Sequence, residues 1–346
     1  MALRDLLGTG LPIIQAPMAG VQASALAVAV SNAGALGSLP CAMLDTAAMR
    51  RELFAICSQT RNPFNVNFFC HAPPPPDAAL DAAWLERLAP YYAELGVDAG
   101  AIPKGPARLP FSREAAEALA EFKPRVVSFH FGLPAPELLQ LVRAWGAKVL
   151  ASATTVEEAL WLEARGVDAV IAQGLEAGGH RGMFLGEDVA TQVGTFALVP
   201  QVARAVRLPV IAAGGIADAK GVAAAMALGA AGVQAGTVFL LCPECTTSAV
   251  HRAALASEAA RVTALTNLFT GRPSRGIVNR VMRNLGPMNA AAPRFPGAAP
   301  FMAPLRARAE SAGSGDFSPL WSGQNASACR EAPAAEVVRE LARGLA

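Results

Sequence analysis

The run Val167-Asp168-Ala169-Val170-Ile171-Ala172 leads directly into Gln173-Gly174-Leu175-Glu176-Ala177-Gly178-Gly179-His180-Arg181-Gly182. Its apolar part reads as a buried strand, and the adjacent glycines after it mark a turn where backbone amides can approach a ligand closely. His180 is the first titratable side chain past that turn. Imidazole titrates near neutrality, so a histidine at the lip of a Gly-rich loop can exchange a proton with a bound group. For this stretch alone, a solvated loop histidine or a helix cap is the plainer alternative.

Working outward, the same unit recurs on both sides. Short apolar runs lie at Leu11–Ala16, Ala35–Ser38, Phe64–Phe69, Arg125–His130 and Lys148–Ser152 before the organising strand, and at Pro209–Ala213 and Gly232–Ala235 after it. Helical patterns fall between them at Ala23–Asn32, from the Asp45 cap to about Cys57, and at Pro136–Trp145, Val156–Arg165, Thr195–Val206 and Asp218–Leu228. The strands are near-continuous apolar runs, so both faces are buried and the sheet is parallel and covered by helices. Eight such units over about 250 residues predict an α/β fold of the (β/α)8 barrel type, not an open doubly wound sheet. The barrel is expected over residues 1-270. A helical elaboration over about 73-122 is opened by the polyproline segment Pro73–Pro76 and interrupted by Gly96, Gly105 and Pro110. Residues 271-346, rich in Pro, Gly and Arg, are expected to form a C-terminal arm packing on the barrel, with a helix from Pro333 to Leu345.

Composition narrows the function classes. The 29 basic and 27 acidic residues are spread without long runs, leaving neither a nucleic-acid footprint nor a basic membrane-binding face. Apolar residues make up 53% of the chain, which invites a membrane reading. The long uncharged stretches are broken by Pro12, Pro17 and Pro40, or by Gly229, Gly232 and Gly236, so they do not read as spans. The six cysteines show no disulfide spacing, and Cys242-Pro243-Glu244-Cys245 lacks a second ligand pair for zinc. The expectations are a cytoplasmic enzyme without a metal site, assembled as a homo-dimer and acting on a small molecule.

A barrel of this type places its site at the carboxyl ends of the strands. The residues there are Ala16, Pro17 and Met18 after the first strand, Asn67 in the third and His130 in the fourth. Gln173, Gly178, Gly179 and His180 follow the sixth, Gly214 and Gly215 the seventh, and Gln234, Gly236 and Thr237 close the eighth. Paired glycines and a Gly-Thr at one barrel end supply bare amides and a hydroxyl for a phosphate, although tight strand-to-helix turns alone would also call for glycine.

Pro12–Gly20, Phe64–Asn67, Ser128–Gly132, Gln173–Gly182, Ala213–Ile216, Gln234–Thr237 and the tail Gly315–Gln324 together resemble the nitronate monooxygenase family, formerly called 2-nitropropane dioxygenases. FMN-type enoyl-acyl-carrier-protein reductases and flavin quinone reductases share close versions of the Glu-Ala-Gly-Gly-His block. The resemblance implies a non-covalently bound FMN with its phosphate on the loops after the seventh and eighth strands. It implies oxidation of alkyl nitronates such as propionate-3-nitronate by dioxygen to nitrite and a carbonyl compound. His180 would be the catalytic histidine and His130 a substrate-binding wall. Ala16, Pro17, Met18, Asn67, Gln173, Gly178, Gly179, Gly214, Gly215, Gln234, Gly236 and Thr237 would bind the cofactor. An NAD(P)H-dependent FMN reductase and a non-redox barrel binding a phosphorylated ligand are the competing readings. The family commonly carries tail tyrosines at the pocket mouth; here that region reads Arg294–Phe301, and the chain's tyrosines are Tyr91 and Tyr92.

Overall fold

The computed structural model describes residues 2–103 and 108–345, so Gly105, expected to break the helical elaboration, lies outside the described residues. It contains strands β1 (Ile13–Gln15), β2 (Gly37–Pro40), β3 (Phe64–Phe69), β4 (Val126–His130), β5 (Lys148–Ala153), β6 (Ala169–Gln173), β7 (Gly179–His180), β8 (Val210–Ala213), β9 (Gly232–Ala235), β10 (Thr263–Thr266) and β11 (Ser274–Ile277). Eight of them form one parallel sheet in the order β1-β9-β8-β6-β5-β4-β3-β2. A parallel bridge between Ile14 and Leu36 joins its two ends. The result is the expected (β/α)8 barrel. At the seam, side chains supplement the short backbone ladder: Gln15 Oε1 accepts from Ser38 N at 3.0 Å, and Gln22 Nε2 donates to Ser38 O at 2.5 Å.

The near-continuous apolar runs are explained by where alternate residues go. Ile14, Leu36, Val126, Leu150, Ala169 and Ile211 cluster together with Leu3, Leu6 and Leu7 of the short N-terminal helix Leu3–Leu7. Their neighbours Val127, Val149, Val170 and Ala212 pack in a separate cluster with the surrounding helices. Each barrel strand therefore buries both faces, as period-two geometry requires. Further toward the carboxyl ends, the same inward register turns polar, with Asn65, Asn67, Ser128 and Ser152 all buried. Asn65 Nδ2 donates to Ser38 Oγ and Ser128 Oγ, and Asn67 Nδ2 donates to Ser128 Oγ. An apolar floor beneath a hydrogen-bonded upper layer orients the site toward the carboxyl end.

The C-terminal part is more integrated than an appended arm would be. Helix Ala334–Ala342 buries Ala334, Val337, Val338 and Leu341 in the main barrel core, against helices Ser24–Asn32 and Ala219–Ala227 and against β1. It takes the wall position that a helix directly after β9 would have filled. Between β9 and that helix the chain makes a long excursion. The excursion contributes β10 and β11, which pair with β7 from the loop after β6 in an antiparallel sheet of order β10-β11-β7, and the helices Ala249–Leu255, Arg280–Leu285 and Ala298–Ser311. It packs on the elaboration helix Ala78–Leu95 in a second core of Trp84, Leu88, Tyr91, Tyr92, Met282, Leu305 and Phe317. The Cys242–Cys245 turn is a structural corner. Both thiols are free and pushed up to about 12 by burial, and Arg252 donates to the carbonyls of Leu241 and Cys242. No helix among the described residues is long and apolar enough to cross a membrane.

Candidate active site

Strand carboxyl ends are where inward-facing side chains meet solvent, and there a cavity encloses about 1310 Å³ of space, its open mouth included. All fourteen residues expected at the site line it: Ala16, Pro17, Met18, Asn67, His130, Gln173, Gly178, Gly179, His180, Gly214, Gly215, Gln234, Gly236 and Thr237. The cavity also takes in Arg108, Ser152, His251, Trp321, Gly323 and Asn325. Ser152 closes a predicted strand and was accessible to the same carboxyl-end rule. Arg108 lies in the elaboration between β3 and β4 and His251 in the excursion after β9, where no strand pattern signals a site.

On the β8 and β9 side the wall is backbone. Gly214 and Gly215 adopt φ of 121° and 72°, conformations that favour glycine. The amides of Gly214, Gly215, Gly236 and Thr237 have no acceptor among the described residues. Gln234 Oε1 is buried and likewise without a partner. The tail closes this side: Gly323 N donates to Thr237 Oγ1 at 2.9 Å, Gln324 N to Glu176 O at 3.0 Å, and Asn325 Nδ2 to Gly215 O at 2.9 Å. Gly178 is required by that closure, because a Cβ there would lie 2.5 Å from Gly323 N. Unpaired amides beside two left-handed glycines fit a phosphate-bearing cofactor.

The opposite side is aromatic and imidazole. All four histidines of the chain gather at or beside the cavity. His180 sits in β7, which pairs antiparallel with β11. Its ring lies 5.8 Å from Phe69, 5.9 Å from Phe131, 5.3 Å from Phe295 and 5.7 Å from Trp321, centroid to centroid. Nε2 is 3.0 Å from Thr270 Oγ1. Burial, then the charges of Arg108 and Arg272, with His130 and His71 adding repulsion only when protonated, hold His180 well below the ordinary histidine range, so it is neutral at neutral pH. His71 touches Phe295 edge-on at 4.8 Å and is lowered to about 4, chiefly by burial.

Several expected ligand-facing side chains are occupied by the protein itself. His130 Nε2–H donates to His180 O at 3.2 Å, which leaves Nδ1 to accept from Ser152 Oγ at 3.0 Å. Burial lowers His130 to about 3, so the ring is neutral and both of its nitrogens are committed within the protein. Gln173 donates from Nε2 to the same His180 carbonyl at 3.0 Å and accepts from Gly182 N at 2.7 Å. Arg181, wholly buried, donates to the carbonyls of Gln173 and Gly174 at 2.7 Å each and to Gln192 Oε1 at 2.9 Å. Together these bonds fix the backbone that carries His180. Glu176 faces away from any ligand role, accepting from Thr195 N and Thr195 Oγ1 at the start of helix Thr195–Ala205. Neither tyrosine lines the cavity; Tyr92 donates to Phe301 O at 2.6 Å, and Phe295 supplies the tail's aromatic ring beside His180.

A neutral imidazole in an acid-free aromatic wall, facing a row of bare amides, can hydrogen-bond a small anion next to a phosphate-bearing cofactor. The comparisons with known proteins agree with that geometry. The nitronate monooxygenase family model matches residues 1–344. A nitronate monooxygenase of Pseudomonas aeruginosa is 44% identical, with 98% of this chain and 97% of the relative covered. One from Paraburkholderia phytofirmans is also 44% identical, covering 99% and 94%. Among solved structures, a nitroalkane oxidase from Streptomyces ansochromogenes superposes with a TM-score of 0.90 at 40% identity, covering 100% of this chain and 98% of that one. FabK from Thermotoga maritima superposes with a TM-score of 0.73 at 28% identity, covering 99% and 94%. By sequence over its whole length and by its fold, the chain belongs to the nitronate monooxygenase family, a family of flavin-dependent oxidoreductases.

Proposed function

We propose that the protein is an FMN-dependent nitronate monooxygenase that oxidises alkyl nitronates, such as propionate-3-nitronate, with dioxygen to a carbonyl compound and nitrite. The observation that carries this reading is His180, held neutral among cations and aromatics in a cavity without a single Asp or Glu among its described lining residues. A neutral ring surrounded by positive charge is a weak base and a good hydrogen-bond partner for an anion. It therefore suits a substrate that has already lost its proton. Where a neutral nitroalkane is used, His180 would have to take the carbon-bound proton itself.

For the cofactor, the amides of Gly214, Gly215, Gly236 and Thr237 would hold the phosphate, and Gln234 Oε1 would receive a hydrogen bond that the protein leaves unmade. Ala16, Pro17 and Met18 would flank the ring system, and Gly178, Gly179, Asn67 and Gln173 would complete the cradle. Bound FMN supplies the redox chemistry by which electrons leave the substrate and reach dioxygen. The single cradle supports FMN over a dinucleotide flavin. Free thiols at all six cysteines fit a reducing, cytoplasmic compartment. The proposed assembly is a homo-dimer.

Two measurements test the reading. Cofactor released by denaturation and separated by chromatography is expected to be FMN, and FAD or no flavin would undo the cofactor assignment. Anaerobic mixing with a nitronate is expected to bleach the flavin. Bleaching by NADH or NADPH alone would make the protein a flavin reductase instead.

A further inference from the structure

Arg108 is the single Lys or Arg side chain among the described residues that line the cavity, and no carboxylate lines it with Arg108. Arg108 is half-buried, makes no ion pair among the described residues, and keeps a fully buried Nε without a hydrogen-bond partner. Its guanidinium lies 6.0 Å from the Phe295 ring centroid, on the side of His71 and His180. The unpaired amides after β8 and β9 belong to the same cavity, and under the proposed function they hold the cofactor's phosphate. Burial and the nearby Arg306 draw Arg108 down to about 10, which still leaves it charged at neutral pH. A guanidinium with a buried, unused donor and no counter-charge among the described residues is costly unless an anion joins it.

We propose that Arg108 is a specificity-determining residue that holds a planar two-oxygen anion of the substrate. Nitronate and carboxylate share that shape and charge, and both match the guanidinium fork. The assignment takes the substrate's identity from the nitronate reading above. Two sources of the anion are open to one experiment: the nitronate group itself, or a separate carboxylate on the same molecule.

Holoenzyme carrying Arg108→Gln is assayed on propyl-1-nitronate, which has no carboxylate, and on propionate-3-nitronate, which has one. KM is expected to rise roughly tenfold to hundredfold, as for a lost charged hydrogen bond, with kcat changed far less. A rise confined to propionate-3-nitronate means that Arg108 holds the carboxylate. A rise on both means that it holds the nitronate, and unchanged KM on both overturns the proposal. Arg108→Lys keeps the charge but not the fork, and KM is expected to rise less than in the Gln variant. If the Gln variant does not fold, a Lys variant with wild-type KM on both substrates overturns the proposal. Calorimetric titration with propionate separates this from failure of the nitronate reading. Should the wild type oxidise no nitronate, loss of propionate binding in Arg108→Gln would still uphold the anion site, and equal affinity in both proteins would overturn it.

Discussion

At the residue scale, the neutrality of His180 is built by its neighbours. Its backbone carbonyl is gripped by His130 and Gln173, its Nε2 meets Thr270, and its ring is boxed by four aromatic side chains. Such a ring hydrogen-bonds a nitronate readily, whereas a neutral nitroalkane must first give up a proton. His180→Asn keeps a polar group of similar size but cannot accept that proton. Activity on neutral nitroalkanes is expected to fall roughly a hundredfold to ten-thousandfold, and nitronate oxidation much less. Steady-state rates on the two forms of one compound check this. An equal loss on both would make His180 a positioning residue, and no loss on either would remove it from the chemistry. His180 was legible in the sequence because its glycine turn is local. The commitment of both His130 nitrogens was not, since Ser152 and His180 reach that ring from other strands.

At the scale of elements, the site is a set of loops tied by the tail. The segment Trp321–Asn325 closes on the loops after β6, β8 and β9 through Gln324, Asn325 and Gly323. In Gly178→Ala the new Cβ would lie 2.5 Å from Gly323 N and 2.6 Å from Ser322 C, both backbone atoms that cannot swing away. The two loops must then part, at a cost of about 1–3 kcal/mol typical of overpacking. The expected outcome is a lower flavin-to-protein absorbance ratio and faster proteolysis of the tail. A variant with unchanged flavin content and protease resistance would show that the tail does not seal the cofactor end. The glycine pair itself was readable as a close backbone approach. That it approaches Ser322 and Gly323, more than a hundred residues away, required the fold.

At the scale of the whole molecule, the chain's last helix completes the barrel that its first strand begins. Leu341 is fully buried in the main core, between the helices that follow β1 and β8. Leu341→Ala is expected to cost about 2–5 kcal/mol of unfolding free energy, measured as a shifted urea midpoint. A change under about 0.5 kcal/mol, the range of ordinary surface substitutions, would mean that the helix is peripheral. Acid should also weaken the fold. His130 and His251 are lowered to about 3 and about 4 by burial, while the unfolded chain takes up these protons near pH 6.5. Above pH 6.5 neither state is protonated at these rings and their contribution is full. As pH falls from 6.5 toward 4, the unfolded state binds protons that the native state refuses, so stability drops by up to about 1.4 kcal/mol per pH unit for each ring. Melting temperatures at pH 7.5 and 5.5 check the sign, and a flat profile would contradict the buried, neutral assignment.

What the sequence determined by itself was whatever depends on neighbours in the chain. Apolar runs without alternation marked strands buried on both faces, and Asp45 and Asp218 marked helix starts, where each now accepts from a backbone amide three residues on. Glycines after the sixth, seventh and eighth barrel strands marked one end as the site, because barrel topology converts position after a strand into position in space. Tertiary structure alone decided the rest. Leu3–Leu7 plugs the barrel floor, the terminal helix enters the wall, and Arg108 and Trp321 reach the cavity from excursions that carry no strand period. Those placements depend on contacts between residues far apart in the chain, where the energy lies in packing and charge and leaves no local pattern to read.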